Sequence, residues 1–244
     1  MNGVALEPLE AGDASADFER ASDALQSADA VARQGGEAYL LQLRAPGLEQ
    51  AHASIQTCRN ILECSASPAA QFHAALTLRD VLMREWDQLP AADLAHLRDE
   101  IMASSLSQVA TPGRPSSQLF VRAQLLQLLA LMYKKVWLSP DGATAVEGLR
   151  SRVGQLLGDM GELQCAGLQL LLAVLSEFSF TRLTAVGMTW EFHIAARHAF
   201  QQSQLLDYFR YAVDWLGRWA QAGGALQQAD ATAAALGVAA AALR

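Results

Sequence analysis

Cysteine and histidine side chains in the first third of the chain are the residues best suited to bind a metal. Cys58 and Cys64 are six residues apart, with His52 and His73 outside them. Structural zinc sites use tighter spacings, such as two cysteines separated by two to four residues. Cys58 also falls on an apolar helical stripe, where a free cysteine behaves as a small hydrophobic residue. We therefore predict no metal site here.

A second group with possible chemistry lies near the end of the chain. Histidine and glutamate side chains act as general acids and bases, and Glu191, His193 and His198 are close together in the sequence. The two histidines, however, are five residues apart, about 140° around a helix. We interpret them as surface or hydrogen-bonded histidines. The sequence also has no phosphate-binding glycine loop, nucleophile elbow or His-Glu-x-x-His motif, so we predict no catalytic or cofactor-binding residues and no enzyme.

Aromatic and basic residues offer a further possibility, which is partner binding. Tryptophans can stack nucleic-acid bases, but here they lie near predicted helix ends among leucines, so we predict packing between helices. The only lysines, Lys134 and Lys135, precede Trp137 and are predicted to be cations in the last turn of a helix, with a partner contact as the alternative. The five tryptophans are Trp86, Trp137, Trp190, Trp215 and Trp219.

Composition narrows the class of protein. The chain has 244 residues, 52% of them hydrophobic, and a formal charge of −7, which makes a nucleic-acid phosphate backbone a poor partner. Three cysteines without a signal peptide predict a reducing intracellular setting. The longest apolar runs, Leu170–Leu175 and Ala233–Leu243, are too short to cross a bilayer, so no membrane insertion is expected.

The elements that carry these residues are predicted to be helices. In the segment Phe72–Trp86, apolar residues recur at steps of three and four, which indicates one apolar helical face. Asp80, four residues before Arg84, is in the favoured order for an ion pair on the polar face. Such a helix needs apolar neighbours to be stable in water.

Evenly spaced prolines divide the first half of the chain. Pro46, Pro68, Pro90 and Pro112 are about 22 residues apart, and proline tends to begin or end helices. If each interval holds one helix, a pair of helices takes about 44 residues. HEAT and armadillo repeats, which are also helix pairs, are about 40–47 residues long. The sequence thus predicts an all-α fold, an α-solenoid of HEAT-type helix pairs resembling an ARM-like superhelix. An ordinary all-α domain with proline turns is the alternative.

The remaining helices follow from the same periodicity. Gly35-Gly36 and Gly223-Gly224 are interpreted as turns, and Ser139-Pro140-Asp141-Gly142 is a turn motif. The helix Gln118–Trp137 is apolar almost all the way round, as expected for a helix buried between neighbours. The other predicted helices are Asp17–Ala30, Glu37–Leu43, Leu48–Cys64, Ala91–Ser105, Val146–Leu157, Gly161–Phe178, Thr189–Gln201 and Leu205–Trp219.

Several motifs resemble a known family. Phe72-His-Ala-Ala-Leu, continuing to Val81-Leu-Met-Arg-Glu-Trp86, is similar to the N-terminal repeats of the importin-β (karyopherin) superfamily. Gln124-Leu-Leu with Lys134-Lys-Val-Trp137, Leu175-Ser-Glu-Phe-Ser179, and Gly187-Met-Thr-Trp-Glu-Phe-His193 resemble the exportin-4-like export receptors, exportin-7 among them. The similarity runs from about Gln34 to Trp219. We also expect the chain to be the front part of a longer protein, because its alanine-rich end lacks a polar capping helix.

The resemblance implies a nuclear export receptor that shuttles between nucleus and cytoplasm. Members of the family bind the small GTPase Ran in its GTP form, carry protein cargo past nuclear pore proteins and release it when GTP is hydrolysed. Translation factor 5A is a cargo of the exportin-4 relatives. The implied division is a flexible leader (1–15), importin-β N-terminal-like repeats (16–110), further HEAT-type repeats (111–222) and an alanine-rich tail that is a truncated repeat (223–244).

The resemblance also implies where Ran-GTP binds. In the family it is held by the second, inner helix of each pair, here Leu48–Cys64, Ala91–Ser105 and Val146–Leu157. The alternatives are a HEAT-repeat scaffold or adaptor without a transport role, and an enzyme built on a helical bundle. The polar residues on the three helices, our candidates for Ran contact, are Gln56, Asn60, Arg98, Glu100, Arg150 and Arg152.

Overall fold

Eleven α-helices make up the part of the chain that the structure, a computed structural model, describes: residues 14–45, 48–107, 117–158, 162–179, 188–221 and 229–242. These residues contain no β-strand, so the predicted all-α fold is confirmed for them. None of their helices is long and apolar enough to span a membrane. In chain order the helices are α1 Ala14–Ala24, α2 Ala30–Arg44, α3 Leu48–Cys64, α4 Pro68–Glu85, α5 Ala91–Ser107, α6 Ser117–Val136, α7 Gly142–Gly158, α8 Glu162–Ser179, α9 Trp190–Ser203, α10 Leu205–Gln221 and α11 Ala229–Ala242.

The chain divides into two compact units, residues 1–88 and residues 89–244. In the first unit α1 packs along α2 and α3 packs along α4, while α4 also contacts both α1 and α2. The α4 helix begins at Pro68, one of the evenly spaced prolines. Ser67 caps it by accepting a hydrogen bond from the Ala70 amide, and Pro68 occupies the first turn. The fully buried side chains of this unit include Phe18, Ala51, Cys58, Leu78, Val81 and Leu82.

The second unit contains α5 to α11. Its central helices are α6, which contacts α5, α7 and α8, and α8, which contacts α7, α9 and α11. The prediction that α6 is buried nearly all round is confirmed, since Val121, Leu125 and Leu129 are fully buried together with every residue from Leu128 to Lys134. Within both units, consecutive helices pack in pairs, α1 with α2, α3 with α4, α5 with α6 and α7 with α8, as expected for HEAT-type helix pairs. The helices α3, α5 and α7, which the resemblance implied to be second in their pairs, are therefore the first helices of the observed pairs.

An aromatic cluster joins α8 and α9 to the end of α6. The Phe178 and Phe200 rings stack with centroids 4.5 Å apart, and Trp137 meets Phe178 edge-on at 4.8 Å. Tyr208, at the start of α10, lies 5.8 Å from Phe200. Such aromatic pairs stabilise a core by more than their buried area alone, by about 0.5–1.5 kcal/mol each. The sequence analysis placed Trp137 near a helix end without showing that it meets these rings.

The first two helices differ from the prediction. The predicted helix Asp17–Ala30 ends at Ala24, and the next helix begins at Ala30 rather than Glu37. Asp29 is the reason, because its side chain caps α2 by accepting a hydrogen bond from the Val31 amide. The interpretation of Gly35-Gly36 as a turn is therefore wrong, since both glycines lie inside α2.

Close packing explains one of these helical glycines. A Cβ added to Gly36 would lie 2.5 Å from the carbonyl oxygen of Ala21, so the backbones of α1 and α2 approach where Gly36 has no side chain. A Cβ on Gly35 would have no atom within 4 Å. The glycine pair is thus one contact residue and one exposed residue, which the sequence alone does not distinguish.

Two smaller predictions were also tested. Asp80 forms its ion pair with the adjacent Arg79, at 3.0 Å, and not with the predicted partner Arg84. The turn at Ser139–Gly142 is confirmed, because the Gly142 amide donates to the Ser139 carbonyl at 2.9 Å. Of the predicted leader, residues 1–13 lie outside the described residues, and Ala14 and Ser15 begin α1. Gly223-Gly224 lies outside them too.

The alanine-rich end of the chain forms α11. This helix packs on α8 and α10, and its Ala235 and Val238 are fully buried. A Cβ added to Gly237 would come within 3.1 Å of the Leu172 side chain on α8. Small residues in α11 therefore allow it to lie close to α8.

Candidate protein-binding site

A row of polar side chains lies along the exposed face of α3. The opposite face is buried because Ala51, Ser54, Cys58 and Ile61 recur at helical spacing. Two of the predicted contact residues are on the exposed side and meet each other, as the side-chain amide of Gln56 donates a hydrogen bond to Asn60 Oδ1 at 2.9 Å. Both candidates therefore lie on the exposed face of α3.

One member of this row was missing from the sequence prediction. Arg59 donates a hydrogen bond to the Gln56 side-chain oxygen at 3.2 Å, so Gln56, Arg59 and Asn60 form a connected polar row, here called the α3 row. The spacing of three residues between Gln56 and Arg59 is the pattern that could have indicated this contact.

The two predicted residues of α5 differ in their surroundings. The Arg98 guanidinium lies over the Tyr133 ring of α6, 5.0 Å from its centroid, and makes a side-chain hydrogen bond with Tyr133. Burial raises the pKa of the Tyr133 hydroxyl. Glu100 instead pairs with His96 on its own helix at 3.0 Å. Arg98 therefore contacts a neighbouring helix, α6, whereas Glu100 pairs with a residue one turn away on α5.

The predicted residues of α7 are both exposed. Arg150 hydrogen-bonds with Tyr211 of α10 and lies 3.9 Å from the carboxylate of Asp207 and 4.0 Å from that of Glu147. The pKa of Arg150 is raised most by the hydrogen bond with Tyr211, and next by the negative charges of Asp207 and Glu147. Arg152 donates to the side-chain oxygen of Gln155 at 3.3 Å.

Three of the predicted arginines interact with tyrosines on other helices. Arg98 and Arg152, from different helices, both act electrostatically on the Tyr133 hydroxyl, and Arg150 acts on the neighbouring Tyr208. We call the group formed by Arg98, Tyr133, Arg150, Arg152 and Tyr211 the arginine–tyrosine cluster. The two tyrosines were not predicted, because contacts between α6, α7 and α10 leave no local pattern in the sequence.

The prediction that Lys134 and Lys135 lie in the last turn of a helix is confirmed, and Lys134 has a tertiary contact as well. Lys134 is buried, and its ammonium donates to the backbone carbonyl of Glu177 at 2.6 Å and to its carboxylate at 3.1 Å. Burial lowers the pKa of Lys134, and the Glu177 charge and hydrogen bond oppose that shift. His193 is also buried, and neither ring nitrogen has a hydrogen-bond partner among the described residues. The interpretation of His193 as a surface or hydrogen-bonded histidine is therefore wrong.

The cysteines and the other histidines do not converge. Burial raises the pKa of the Cys58 thiol to about 12, whereas Cys64 and His52 are exposed. His73 accepts a hydrogen bond from Arg44 at 3.2 Å. Within the described ranges, no three histidine, cysteine, aspartate or glutamate side chains gather where they could hold a metal ion.

The tryptophan prediction holds for two side chains. Trp137 and Trp215 are buried, and the Trp215 indole donates to the Gln164 side chain at 3.0 Å. Trp86 and Trp219 are half-buried. Trp190 is 43% exposed at the first residue of α9, so packing between helices was the wrong expectation for it.

Charge is distributed unequally between the two units. Residues 89–244 carry equal numbers of acidic and basic side chains, so the whole formal charge of −7 belongs to residues 1–88. The α3 row is thus in an acidic unit, and the arginine–tyrosine cluster is in a unit with no net charge.

Paired helices with polar side chains on their exposed faces define a helical-repeat protein. Residues 42–107 match the family model for the Importin-beta N-terminal domain. The match begins in the last turn of α2 and covers α3, α4 and α5, and so includes the α3 row, Arg98 and Glu100. This segment is therefore similar to the N-terminal domain of importin-β proteins.

Proposed function

We propose that this chain is the N-terminal part of an exportin-4-like nuclear transport receptor that binds Ran-GTP and protein cargo and shuttles between nucleus and cytoplasm through the nuclear pore. The observation that carries the proposal is the match of residues 42–107 to the Importin-beta N-terminal domain, over three consecutive helices. Translation factor 5A is a candidate cargo, and the finer likeness to exportin-4 rests on the motifs around Lys134–Trp137 and Trp190–His193.

The mechanism is coupled binding without catalysis. Ran-GTP and cargo each stabilise the same arrangement of the helices, so each raises the affinity for the other. Hydrolysis of GTP on Ran then lowers the affinity for cargo. The chain supplies binding surfaces only, and the GTPase chemistry belongs to Ran.

The α3 row is the best candidate for the Ran contact in the matched segment. Gln56 and Asn60 are exposed, and their mutual hydrogen bond orders both side chains before a partner arrives. Pre-ordering lowers the entropy cost of binding. Arg98 is a less suitable test residue, because it packs on Tyr133 and charge reversal there would disturb the contact between α5 and α6.

The test compares the affinity of the 244-residue chain for Ran loaded with a non-hydrolysable GTP analogue and for Ran loaded with GDP, by biolayer interferometry. We expect a clear preference for the GTP form, and at least about a 10-fold weakening in the double variant Gln56→Ala, Asn60→Ala. The matched control, Gln34→Ala with Glu37→Ala, changes two exposed polar residues of α2 before the matched segment and should leave the affinity unchanged.

One result would contradict the proposed function, and another would contradict the proposed contact. Equal affinity for both nucleotide states would reject transport by Ran-GTP and favour the alternative, a HEAT-repeat scaffold or adaptor. A preference for the GTP form that survives in the α3 variant would keep the function and reject the α3 row as the contact. Circular dichroism of each variant checks that the helices are intact.

A further inference from the structure

We propose that the exposed face of α10 is the interface through which two copies of this chain form an antiparallel dimer. Leu206, Phe209, Val213 and Leu216 follow one another at steps of three and four along this helix and form an apolar stripe, here called the α10 seam. The inference goes beyond the proposed function, because a contact between two copies requires neither Ran nor cargo.

The α10 seam faces away from the core of its unit. The buried residues of α10 are Tyr208, Ala212 and Trp215, and their face is centred about 110° around the helix from the seam. Leu206 is 59% exposed and Val213 is 43% exposed, while the other two seam residues are half-buried. Single exposed apolar residues are ordinary on a protein surface, but a continuous row of them marks an interaction site.

The spacing of the seam selects a helix as the partner. Leu206 and Val213 fall at position a of a coiled-coil heptad, and Phe209 and Leu216 fall at position d. Side chains at this period insert between residues of a second helix that lies along the seam. The helices α8, α9 and α11 contact α10, but the exposure of Leu206 and Val213 shows that no described helix lies along the seam itself.

A second copy in the opposite direction matches the seam residue for residue. The steps between the four seam residues are three, four and three, which read the same in both directions. With the two-fold axis near Tyr211, Leu206 would lie opposite Leu216 of the second copy, and Phe209 opposite Val213 of the second copy. Every layer of the interface would then hold an apolar side chain from each copy. Such a contact uses the same surface on both chains and closes at two.

The charged edge beside the seam also favours a second copy. Asp207, Arg210, Asp214 and Arg218 lie along this edge, so it carries two acidic and two basic side chains. A strongly acidic or strongly basic partner would be repelled by half of them, whereas a second copy presents the same balanced edge. In the antiparallel pair, Arg210 and Asp214 of the second copy would be offset by about 3 Å along the helix axis. Asp207, 3.6 Å from Arg210 in its own helix, offsets the repulsion between the two Arg210 side chains near the axis.

The size of the seam predicts a weak dimer. The α10 helix has 17 residues, and one pair of such helices buries less than the standard interface of about 1,200–2,000 Å². We therefore expect a dissociation constant of about 10–100 µM. A dimer of this strength is populated only at high protein concentration, which sets the range that the experiment must cover.

The test is sedimentation equilibrium of the full chain between about 5 and 500 µM. We expect the average mass to rise from that of one chain toward that of two, with a Kd at least about 10-fold weaker in the double variant Leu206→Ala, Val213→Ala. Both residues are exposed and alanine favours helix, so the fold of α10 should be kept. The matched control, Val31→Ala with Leu41→Ala, truncates the same two residue types on α2, where they are 76% and 52% exposed. Its Kd should stay within about twofold of the parent.

Three outcomes would overturn the inference. A parent chain that remains monomeric over the whole range would leave the seam to a different partner. An equal loss in both variants would assign the association to exposed apolar residues in general. An average mass beyond that of two chains would exclude a contact that closes at two. Ran-GTP affinity of the same proteins is a separate readout, and a chain that dimerises through the seam but shows no preference for Ran-GTP would keep this inference and reject the proposed function.

Discussion

The Lys134 ammonium lies 2.6 Å from the backbone carbonyl oxygen of Glu177, forty-three residues further along the chain. That carbonyl is in the last turn of α8, where carbonyl groups have no partner within the helix. The Phe178 ring lies 5.7 Å from the same ammonium. The buried Lys134 of α6 therefore donates a hydrogen bond to a carbonyl group in the last turn of α8. This contact links the two central helices of the second unit.

Substituting Lys134 tests that connection. Lys134→Met keeps most of the side-chain length but removes the charged hydrogen bonds, so the free energy of unfolding should fall by about 1–3 kcal/mol. Glu177 is partly exposed and can still reach water, which limits the loss. Urea denaturation followed by circular dichroism measures the change, and Lys135→Met, at the neighbouring half-buried position, should have a smaller effect. An unchanged free energy of unfolding in Lys134→Met would show that the Glu177 contact adds no stability.

Stability should fall on mild acidification because of two histidines. Burial, and then the charge of Lys134, lowers the pKa of His193, while burial and Arg44 lower that of His73. As the pH falls below about 6.5, the unfolded chain takes up protons before the folded chain does, so stability declines until the folded-state pKa is passed. The melting temperature should therefore be lower at pH 5.5 than at pH 7.5.

The contribution of His193 can be separated with a matched pair of variants. The charge that acts on His193 is that of Lys134 on α6, and Lys134 is itself paired with Glu177 of α8. His193→Phe should flatten the fall in melting temperature, and the remainder should come from His73. The control is His198→Phe, on the exposed side of the same helix, and the flattening should be specific to the variant at His193. An unaltered profile in His193→Phe would refute this assignment.

The two adjacent glycines of α2 should respond in opposite directions to the same substitution. Gly36→Ala places a methyl group against the Ala21 carbonyl and should destabilise the chain by about 1–3 kcal/mol. Gly35→Ala meets no atom and should stabilise the helix by about 0.5–1 kcal/mol. Thermal melts of both variants give the two signs, and a loss of stability in Gly35→Ala would contradict the exposed position of that residue.

The sequence predicts a helix well where the start or the burial of that helix depends on residues close together in the chain. Ser67 and Pro68 mark the start of α4 because capping depends on residues within one turn. The run of leucines in α6 indicated burial on all sides, which the structure confirms. Gly36 was misread because a glycine required by a neighbouring helix has the same sequence appearance as a glycine in a turn.

The contacts of the candidate site depend on tertiary packing and could not be predicted from the sequence. Arg98 and Arg150 were selected for their place on predicted inner helices, and only the folded chain shows that tyrosines from α6 and α10 hold them. Lys134 and Glu177 are far apart in the sequence, so no helical spacing could pair them. Whether the six predicted residues contact Ran remains a prediction.

The concentration of negative charge in residues 1–88 makes ionic strength a selective stabiliser of the chain. Like charges repel within that unit, and dissolved counterions weaken the repulsion over a distance of about 10 Å at 0.1 M salt. Residues 89–244, with balanced charge, have little repulsion to relieve. Dilution into a low-salt buffer should therefore loosen the N-terminal helices first and leave the C-terminal ones largely unaffected.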